Sequence, residues 1–306
     1  MSPSDSPSIV VVGSLNRDLV VTTATLPEPG ETVLGHGYSQ HNGGKGANQA
    51  VALARLERRV SMVACVGSDG DGSALAAALR EEGIAVDAIT TTSSHTGVAA
   101  ITVDEHGENS IVVVPGANAD LSPDTIDTFA PLIASADILL AQLEVPISSV
   151  EQAISHATGI VVLNPAPATL LGSALLDAVD YLVPNRTELA TLAGTGPLST
   201  EDQILHAVKS LGFDGVVIVT LGGEGAIAVR NGLVASRTKA PTIAVIDTVG
   251  AGDAFCGGFC DALSRGLPLT DALEWATACG ALATTREGAQ PSMPTASEVA
   301  SLVEQG

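Results

Sequence analysis

The amino-acid sequence predicts an α/β fold: a mainly parallel central sheet with helices on both faces, and a small separate β-sheet that serves as a lid. Short runs rich in β-branched residues alternate with alanine- and leucine-rich segments of helical length. These runs end in Gly, Pro or Asn, which is typical of strand ends. Hydrophobic residues make up 45% of the 306 residues, which is ample for a packed core.

Six runs are predicted to form the strands of the central sheet. They read SIVVVGS, VSMVACVG, ADILLAQLEVP, GIVVLNPAP, DYLVPN and GVVIVTLGG. Ligands of open parallel sheets bind beyond the carboxyl ends of the strands. The polar residues that follow these runs are therefore expected to converge on one site.

Two strand-like segments, about 17–42 and 95–118, interrupt the alternation of strands and helices. We expect them to form the lid over the strand ends, although two unconnected hairpins would give the same pattern. The whole chain, 1–306, is predicted to be a single domain that includes these two segments. The Ser- and Pro-rich residues 1–8 are predicted to be a loose tail.

The strong negative charge limits the possible partners. Thirteen Lys and Arg against 34 Asp and Glu give a net charge of −21, which disfavours binding to nucleic acid and to membrane surfaces. Backbone N–H groups and a few placed cations can still bind a small anion. The acidity can equally reflect solubility or adaptation to salt.

The cysteine pattern predicts a cytoplasmic protein with reduced, buried thiols, since no signal-peptide pattern precedes the first strand. Cys256 and Cys260 share a helix face, but no further Cys or His pair has the spacing of a zinc site. Small core side chains are the simpler reading of all four cysteines, Cys65, Cys256, Cys260 and Cys279.

The segment DTVGAGDAF, residues 247–255, predicts a glycine-rich turn that begins a helix ending near Ser264. Backbone N–H groups of Gly250, Ala251 and Gly252 can form an anion hole there. Asp253 lies in the first helical turn, where it can accept a proton from an attacking hydroxyl. An ordinary helix start with a favourable Asp explains these residues equally well.

A second glycine-rich loop, HNGGKGANQA, brings Lys45 and Asn48 to the start of another helix. It lacks the spacing of a Walker A loop. Its glycines allow close approach of a ligand, and Lys45 and Asn48 offer hydrogen bonds that suit hydroxyl groups. A purely structural turn and helix cap is the alternative.

Three polar side chains at strand ends indicate a polyol substrate. Asn16 and Asp18 follow the first strand at a spacing that places both on one face, and Glu144 precedes Pro146 at another strand end. Each alone is compatible with an ordinary strand end. Together with few aromatic residues, they favour a sugar over an aromatic or fatty ligand.

Two further segments are candidates for nucleotide and metal binding. Asn185 and Glu188 in PNRTE are placed to hold water around Mg²⁺, or to form a capping box at a helix start. The segment IVTLGGEGAIAV predicts a strand, a glycine-rich turn and a second strand, which suits an adenine slot.

In these motifs the chain resembles the ribokinase branch of the PfkB carbohydrate kinases, from about Ile9 to Pro294. GGKGANQA and DTVGAGDAF match the two family signatures, about two hundred residues apart and in the family order. GSLNRD, QLE, LNPAPA, PNRTE, VTLGGEGA and REGAQPS match further ribokinase segments. The resemblance implies a ribokinase-like three-layer sandwich that binds ATP, a lid that closes over the sugar, and a homodimer formed through the lid.

The resemblance also implies the reaction and the residues that perform it. The reaction would be phosphorylation of D-ribose at its 5-hydroxyl to ribose 5-phosphate, with Asp253 as general base and Gly250, Ala251 and Gly252 as anion hole. The pentose would be held by Asp253 and by Asn16, Asp18, Gly44, Lys45, Gly46, Asn48 and Glu144.

The matching positions extend to the nucleotide and to two cations. The residues implied for ATP and Mg²⁺ are Asn185, Glu188, Thr220, Leu221, Gly222, Gly223, Gly225, Gly252 and Thr277. An activating K⁺ would be held by Asp247 and Ser292 and by the carbonyl groups of Val249, Ala283, Arg286 and Gly288.

The sequence departs from the ribokinase pattern at Thr277, where ribokinases tend to carry His or Asn near the adenine. Thr277 is shorter and cannot stack, which puts nucleotide preference in question. Arg17 and Gly250 are milder departures. A related kinase for deoxyribose, another sugar or a nucleoside remains an alternative, as does a catalytically silent sugar-binding regulator.

Overall fold

The computed structural model describes residues 7–305, which form two β-sheets and the helices that cover the larger one. The strands are β1 Ser8–Val12, β2 Asn16–Thr23, β3 Gly35–Gly43, β4 Arg59–Gly67, β5 Ile89–Thr92, β6 Gly97–Val103, β7 Asn109–Val114, β8 Ile138–Ala141, β9 Ile160–Leu163, β10 Tyr181–Leu182, β11 Val216–Thr220, β12 Ala226–Arg230 and β13 Leu233–Thr238. The helices are α1 Lys45–Arg55, α2 Gly70–Glu81, α3 Pro123–Thr128, α4 Ala130–Ala134, α5 Ile147–His156, α6 Ser173–Leu176, α7 Arg186–Leu192, α8 Glu201–Ser210, α9 Ala251–Ser264, α10 Leu269–Ala283, α11 Ala289–Ser292 and α12 Ala296–Val303.

The larger sheet has the order β13-β12-β11-β10-β9-β8-β1-β4-β5. Pairing is parallel from β5 across to β11, and β12 and β13 add an antiparallel hairpin at the other edge. The predicted mainly parallel sheet is therefore confirmed. The carboxyl ends of its parallel strands all lie on the same side of the domain, so the loops that follow these strands are neighbours.

The central sheet is buried on both faces, and β1 shows how the sequence achieves this. Ile9 and Val11 point into the core cluster under α1, α9 and α10, whereas Val10 and Val12 point into the cluster under α5, α7 and α8. Successive side chains of a strand face opposite sides, so a strand covered on both faces must be apolar throughout. The three layers follow from this pattern.

The second sheet has four strands in the order β3-β2-β6-β7. Its two chain segments are joined by parallel pairing of β2 with β6, from Asn16 opposite Gly97 to Thr22 opposite Val103. This pairing excludes two unconnected hairpins. The strands fall within the segments predicted for the lid, except that β2 begins at Asn16 and β3 ends at Gly43.

The amino terminus is ordered earlier than predicted. Ser8 begins β1, and its backbone N–H donates to Asp137 Oδ2 at 2.7 Å. Ser8 therefore does not belong to the predicted loose tail, and residues 1–6 of that segment lie outside the described part of the chain. All four cysteines are free and buried, as expected. None of the helices between residues 7 and 305 has the length and hydropathy needed to cross a membrane.

Candidate active site

Asp253 lies in the first turn of α9, as predicted, and its carboxylate is held by two amide side chains of α1. Asn48 Nδ2 donates to Oδ2 at 2.9 Å, and Gln49 Nε2 donates to Oδ1 at 3.0 Å. α9 begins after Gly250, whose φ of 78° is left-handed. The helix start and the glycine-rich loop, distant in sequence, therefore meet at one carboxylate.

The loop that carries Lys45 begins α1, so it is a helix start and not the structural helix end considered above. Lys45 donates its backbone N–H to Glu144 Oε2 at 3.0 Å, and Ser14 Oγ donates to the same oxygen at 2.5 Å. Glu144 follows β8 and thus fixes the loop to the ends of two neighbouring strands. Asn48 Oδ1 is buried and has no hydrogen-bond partner among residues 7–305, which leaves it available to a hydroxyl donor.

Asn16 and Asp18 lie on β2 of the small sheet. The carboxyl of Asp18 interacts electrostatically with those of Glu144 and Asp253. Asn16 is buried, and its Oδ1 accepts a hydrogen bond from Asn118 Nδ2 at 2.7 Å. The carboxylate of Asp18 occupies space beside Gly43, where an added Cβ would lie 2.1 Å from Oδ2. The small sheet therefore contributes an amide and a carboxyl to the site.

Burial and mutual repulsion raise the pKa of the carboxyls in this cluster. For Asp18, burial is the largest cause, followed by repulsion from Glu144, and the pKa rises to about 7 despite attraction to Arg17. Burial likewise raises the pKa of Asp253, opposed by Lys45 and by the hydrogen bonds from Asn48 and Gln49.

Lys45 supplies the positive charge that opposes this repulsion. Burial lowers its pKa, but attraction to Asp253, Glu144 and Glu188 outweighs burial, so that the pKa rises. Lys45 therefore stays protonated at neutral pH. A proton acceptor, an ammonium group and hydroxyl-binding groups lie together here, which is the combination that transfer to an alcohol requires.

Two cavities meet at the start of α9. A polar one of about 230 Å³ contains Lys45, Glu188 and Asp253 in its wall, and a larger one of about 610 Å³ extends toward α10. Both are lined by Asn185, Thr220, Thr248 and Gly252. A phosphate chain that passes from the large cavity to the small one would therefore end beside Asp253.

The anion-binding groups at this junction are backbone amides of α9. The N–H of Gly252 has no acceptor within the described residues, and the space next to its Cα is open. The N–H of Ala251 instead donates to the carbonyl oxygen of Thr248 at 3.3 Å. Free N–H groups and the positive end of the 14-residue α9 favour a negatively charged ligand.

Asn185 and Glu188 form the capping box that was one of the two sequence interpretations. Glu188 N donates to Asn185 Oδ1 at 2.8 Å, and Asn185 N donates to Glu188 Oε2 at 2.8 Å. Both residues also line the polar cavity. Burial raises the pKa of Glu188, partly offset by the hydrogen bond from Asn185 and by Lys45. One carboxylate at the cavity wall fits Mg²⁺, which keeps most of its water ligands.

The larger cavity lies beside the glycine-rich turn that the sequence offers as an adenine slot. Thr220 and the glycines of the turn after β11 form one wall, and the apolar side chains of Ile243, Val245 and Phe255 form others. Thr277 lies in this wall, and its buried Oγ1 has no hydrogen-bond partner in the part of the chain that the structure describes. A hydroxyl thus replaces the larger ring or amide expected at this position.

The residues expected to hold K⁺ are partly brought together. Asp247 Oδ1 accepts the N–H of Val249 at 3.0 Å, and Oδ2 accepts the N–H of Gly288 at 2.8 Å. Ser292 is buried, and its hydroxyl donates to the carbonyl oxygen of Ala289 at 2.7 Å. Arg286 forms an ion pair with Glu298. Across the residues described, no three His, Cys, Asp or Glu side chains cluster as metal ligands.

Sequence reasoning missed the side chains that hold the predicted ones in place. Ser14, Gln49, Asn118, Gln142 and Asn164 make these contacts. Gln49 follows Asn48 directly in the glycine-loop motif, and Asn164 lies in LNPAPA, so their positions were the available signal. Their hydrogen bonds depend on the fold and could not be derived from spacing.

The chain is similar to known carbohydrate kinases over nearly its whole length. The model of the pfkB family carbohydrate kinases matches residues 6–296. A ribokinase from Schizosaccharomyces pombe is 40% identical, with 95% of this chain and 96% of that protein covered. A deoxyribokinase from Salmonella typhi is 38% identical, with 94% of this chain and 95% of the other covered.

The solved structures show the same fold with ligands bound. The structure of Arabidopsis thaliana ribokinase complexed with ribose and ATP superposes on this chain with a TM-score of 0.90. The two are 35% identical, and the comparison covers 98% of this chain and 99% of the other.

Proposed function

This chain belongs to the pfkB family of carbohydrate kinases, and we propose that it transfers the γ-phosphoryl group of ATP to the 5-hydroxyl of D-ribose. Ribose 5-phosphate and ADP are the products. The observation that carries the proposal is the position of Asp253. Its carboxylate lies at the start of α9, where Asn48 and Gln49 hold it. The polar cavity and the larger cavity, which is proposed to bind the adenine, meet at this helix start.

In this mechanism the small sheet and α1 hold the sugar. Asp18, Asn48 and Glu144 accept hydrogen bonds from the hydroxyl groups, and the ammonium group of Lys45 donates to oxygen. These groups come from β2 of the small sheet, from α1 and from the loop after β8 of the large sheet. Ribose therefore lies between the two sheets, with its 5-hydroxyl directed to Asp253. Fixing the acceptor in this way removes the orientational cost of a reaction between two separate molecules.

Asp253 accepts the proton of the 5-hydroxyl as the oxygen attacks phosphorus. Burial and neighbouring carboxyls raise its pKa above that of an exposed aspartate, which makes it a better proton acceptor while Lys45 favours ionisation. The N–H groups at the start of α9, among them that of Gly252, stabilise the charge that develops on the phosphoryl oxygens. The leaving group is ADP.

Mg²⁺ would be held through water by Glu188 and Asn185, both in the wall of the polar cavity. When bound, the ion supplies positive charge that neutralises the phosphates. The capping box uses Glu188 Oε2, and Oε1 has no hydrogen-bond partner among residues 7–305. The carboxylate can therefore cap α7 through one oxygen and bind a water ligand of Mg²⁺ through the other. Glu188 also keeps α7 directed at the cavity.

K⁺ would bind beside the turn that precedes α9. Asp247, the hydroxyl of Ser292 and nearby carbonyl groups are oxygen donors, as a hard cation requires, and each Asp247 oxygen that accepts one N–H retains a further lone pair. Asp247 joins the turn before the anion hole to Gly288 at the start of α11. Its role is therefore to hold that turn in place.

The small sheet carries the surface through which we propose a homodimer. Tyr38 is 63% exposed, and the four side chains Ile111, Val112, Val113 and Val114 are 44 to 62% exposed. Exposed apolar side chains on the two edge strands of this sheet, β3 and β7, are candidates for such a surface. We place the protein in the cytoplasm, because its four cysteines are free thiols. Sedimentation analysis of the purified chain measures the oligomer.

Deoxyribose is the second candidate acceptor, because the Salmonella typhi deoxyribokinase is nearly as similar as the ribokinases. The test is a coupled ADP-release assay with MgATP and ribose, 2-deoxyribose, fructose, adenosine or uridine, each in K⁺ or in Na⁺ alone. Ribose is expected to give the highest kcat/KM. A higher kcat/KM for 2-deoxyribose would identify deoxyribose as the acceptor. Binding of ribose without turnover of any acceptor would contradict the kinase function.

A further inference from the structure

A chain of buried amide side chains lies behind Asp253 and has no part in the reaction as described so far. Gln142 Nε2 donates a hydrogen bond to Gln49 Oε1. Gln49 Nε2 in turn donates to Asp253 Oδ1 at 3.0 Å and to Asn164 Oδ1 at 3.1 Å. Gln49 and Gln142 are 0% exposed, so water cannot replace these contacts.

The fold brings these residues together because they follow neighbouring parallel strands. Gln142 directly follows β8, and Asn164 directly follows β9. Asn164 Nδ2 donates to the carbonyl oxygen of Val183, just after β10, at 2.8 Å. Three successive strand ends thus form a hydrogen-bonded series that ends at the first turn of α9.

A glycine leaves room for the far end of this series. An added Cβ at Gly13 would lie 2.0 Å from Gln142 Oε1 and 2.9 Å from the Cα of Gly46. No side chain fits there without displacing Gln142. The close approach of β1 to the start of α1 therefore depends on Gly13, as does the position of Gln142.

The series determines which way the amide of Gln49 faces. The NH₂ group of Asn164 donates to Val183, so Asn164 Oδ1 faces Gln49 and requires a donor there. Gln49 therefore directs its NH₂ group to that side and its Oε1 to Gln142 Nε2. One of its two hydrogens is directed to Asn164 and the other to Asp253. Asn164 cannot rotate to compete, since its own NH₂ donates to Val183. Gln49 can therefore only donate to Asp253.

This donor acts against strong opposing effects at Asp253. The groups that face the carboxylate are the ammonium of Lys45, the carboxyls of Asp18, Glu144 and Glu188, and the thiol of Cys256. Burial and the carboxyls favour the protonated form of Asp253, and a protonated base cannot accept the hydroxyl proton. Lys45, Asn48 and Gln49 favour the ionised form.

We propose that Gln49, oriented by Gln142 and Asn164, is a positioning residue that holds Asp253 as an ionised proton acceptor directed at the 5-hydroxyl. This inference rests on the proposed role of Asp253 as general base. It assigns Gln49 a task different from that of Asn48, whose buried Oδ1 has no partner among residues 7–305 and is proposed above to bind the sugar. Gln49 has no such free atom and acts through Asp253.

The test compares Gln49→Leu, Gln49→Glu and Gln142→Leu with the wild-type chain, using the pH dependence of kcat/KM for ribose. Loss of a hydrogen bond to a charged group predicts a decrease in kcat of about tenfold to a hundredfold for Gln49→Leu. KM for ribose should change less than kcat. The acid limb of the profile should move up by about one pH unit, because Asp253 loses a donor to its ionised form.

The other two variants separate orientation from mere volume. In Gln49→Glu the introduced carboxyl must keep a proton to donate, so the acid limb should move further than in Gln49→Leu. Gln142→Leu leaves Gln49 in place but free to turn its amide, and should give a smaller shift of the same sign. If the Gln49 variants do not fold, the pH profile of Gln142→Leu still tests the proposal.

Ser149→Ala is the matched control, since it removes a hydrogen bond that the buried Ser149 of α5 donates to the carbonyl oxygen of Leu121, and neither residue lines the two cavities. It should lower stability and leave the pH profile unchanged. Profiles of all three network variants that coincide with that of Ser149→Ala would overturn the inference. Asp253→Asn is measured in the same series. Full turnover of that variant would overturn the role of Asp253 as general base. Loss of its turnover, together with wild-type profiles of the network variants, would overturn only the role proposed for Gln49.

Discussion

Asn48 and Asp253 are 205 residues apart in the chain, and Asn48 Nδ2 lies 2.9 Å from Asp253 Oδ2. This contact joins the two glycine-rich segments, one at the start of α1 and one at the start of α9. Neither segment forms a site alone. The contact therefore determines where a hydroxyl acceptor and a phosphate can meet.

Replacement of Asp253 by Asn tests the general base. The variant should still bind ribose, because the introduced amide has the same shape: its oxygen can accept from Gln49, and its NH₂ group can donate to Asn48 once that side chain turns its own amide. Turnover should fall by about a hundredfold or more, since the proton of the 5-hydroxyl has no acceptor. Calorimetric titration with ribose and single-turnover kinetics measure the two effects, and unchanged turnover would remove Asp253 from this role.

Ribose binding should release protons near neutral pH. Asp18 has its pKa raised to about 7, so part of the population carries a proton at pH 6.5 in the free protein. Hydroxyl donors favour the ionised carboxylate, which lowers this pKa and releases the proton. Calorimetry in two buffers of different ionisation enthalpy measures the release, and ribose affinity should increase as the pH rises through 7.

Asp18→Asn is the matched variant for that experiment. It should bind ribose without the buffer-dependent heat that Asp18 contributes. The raised pKa also means that ionisation of Asp18 opposes folding. Folding stability contributed by its protonated form is fully present below the unfolded pKa of 3.8 and is lost as pH rises through about 7. Equal proton release in both proteins would assign the titration to another group.

If K⁺ activates the enzyme as we propose, removal of the Asp247 carboxylate should abolish that activation. In Asp247→Ala the N–H groups of Val249 and Gly288 lose their common acceptor, so the turn before α9 is no longer tied to the segment near α11. We expect kcat in K⁺ to fall to the value measured in Na⁺. Initial rates across a K⁺ titration measure this, and retention of wild-type activation would place the cation elsewhere.

Gly225→Ala should weaken ATP binding and lower the melting temperature. Gly225 has a φ of +99°, and an added Cβ would lie 2.1 Å from the carbonyl oxygen of Thr238. A non-glycine residue with this backbone conformation costs about 1–3 kcal/mol, before the clash is counted. KM for ATP and thermal unfolding measure the effects.

Gly223 provides the comparison within the same turn. An added Cβ at Gly223 meets nothing within 4 Å. Gly223→Ala should therefore leave the melting temperature close to that of the wild type. If Gly223→Ala and Gly225→Ala lower it equally, the backbone conformation of Gly225 is not the cause.

The sequence was most informative where a local pattern has one structural solution. The apolar run of β1 requires burial on both faces, and the turn before Asp253 requires a helix start, and both were found. The position of Glu144 at a strand end was also predicted. These features depend on residues that are neighbours in the chain.

Contacts between distant segments could not be predicted in the same way. Nothing in the sequence indicates that Ser14 and Lys45 share one oxygen of Glu144, or that Gln142 orients Gln49. Short polar side chains at strand ends have many possible partners. Only the order of strands in the sheet decides which of them meet.

The parallel pairing of β2 with β6 determines how the small sheet can move. Because backbone hydrogen bonds join its two segments along their length, neither can swing without the other. Asn16 and Asp18 would then approach the sugar in one step, and opening would be all-or-none. The amide hydrogens of β2 and β6 would exchange with solvent at one shared rate, and ribose would slow that exchange in both strands together.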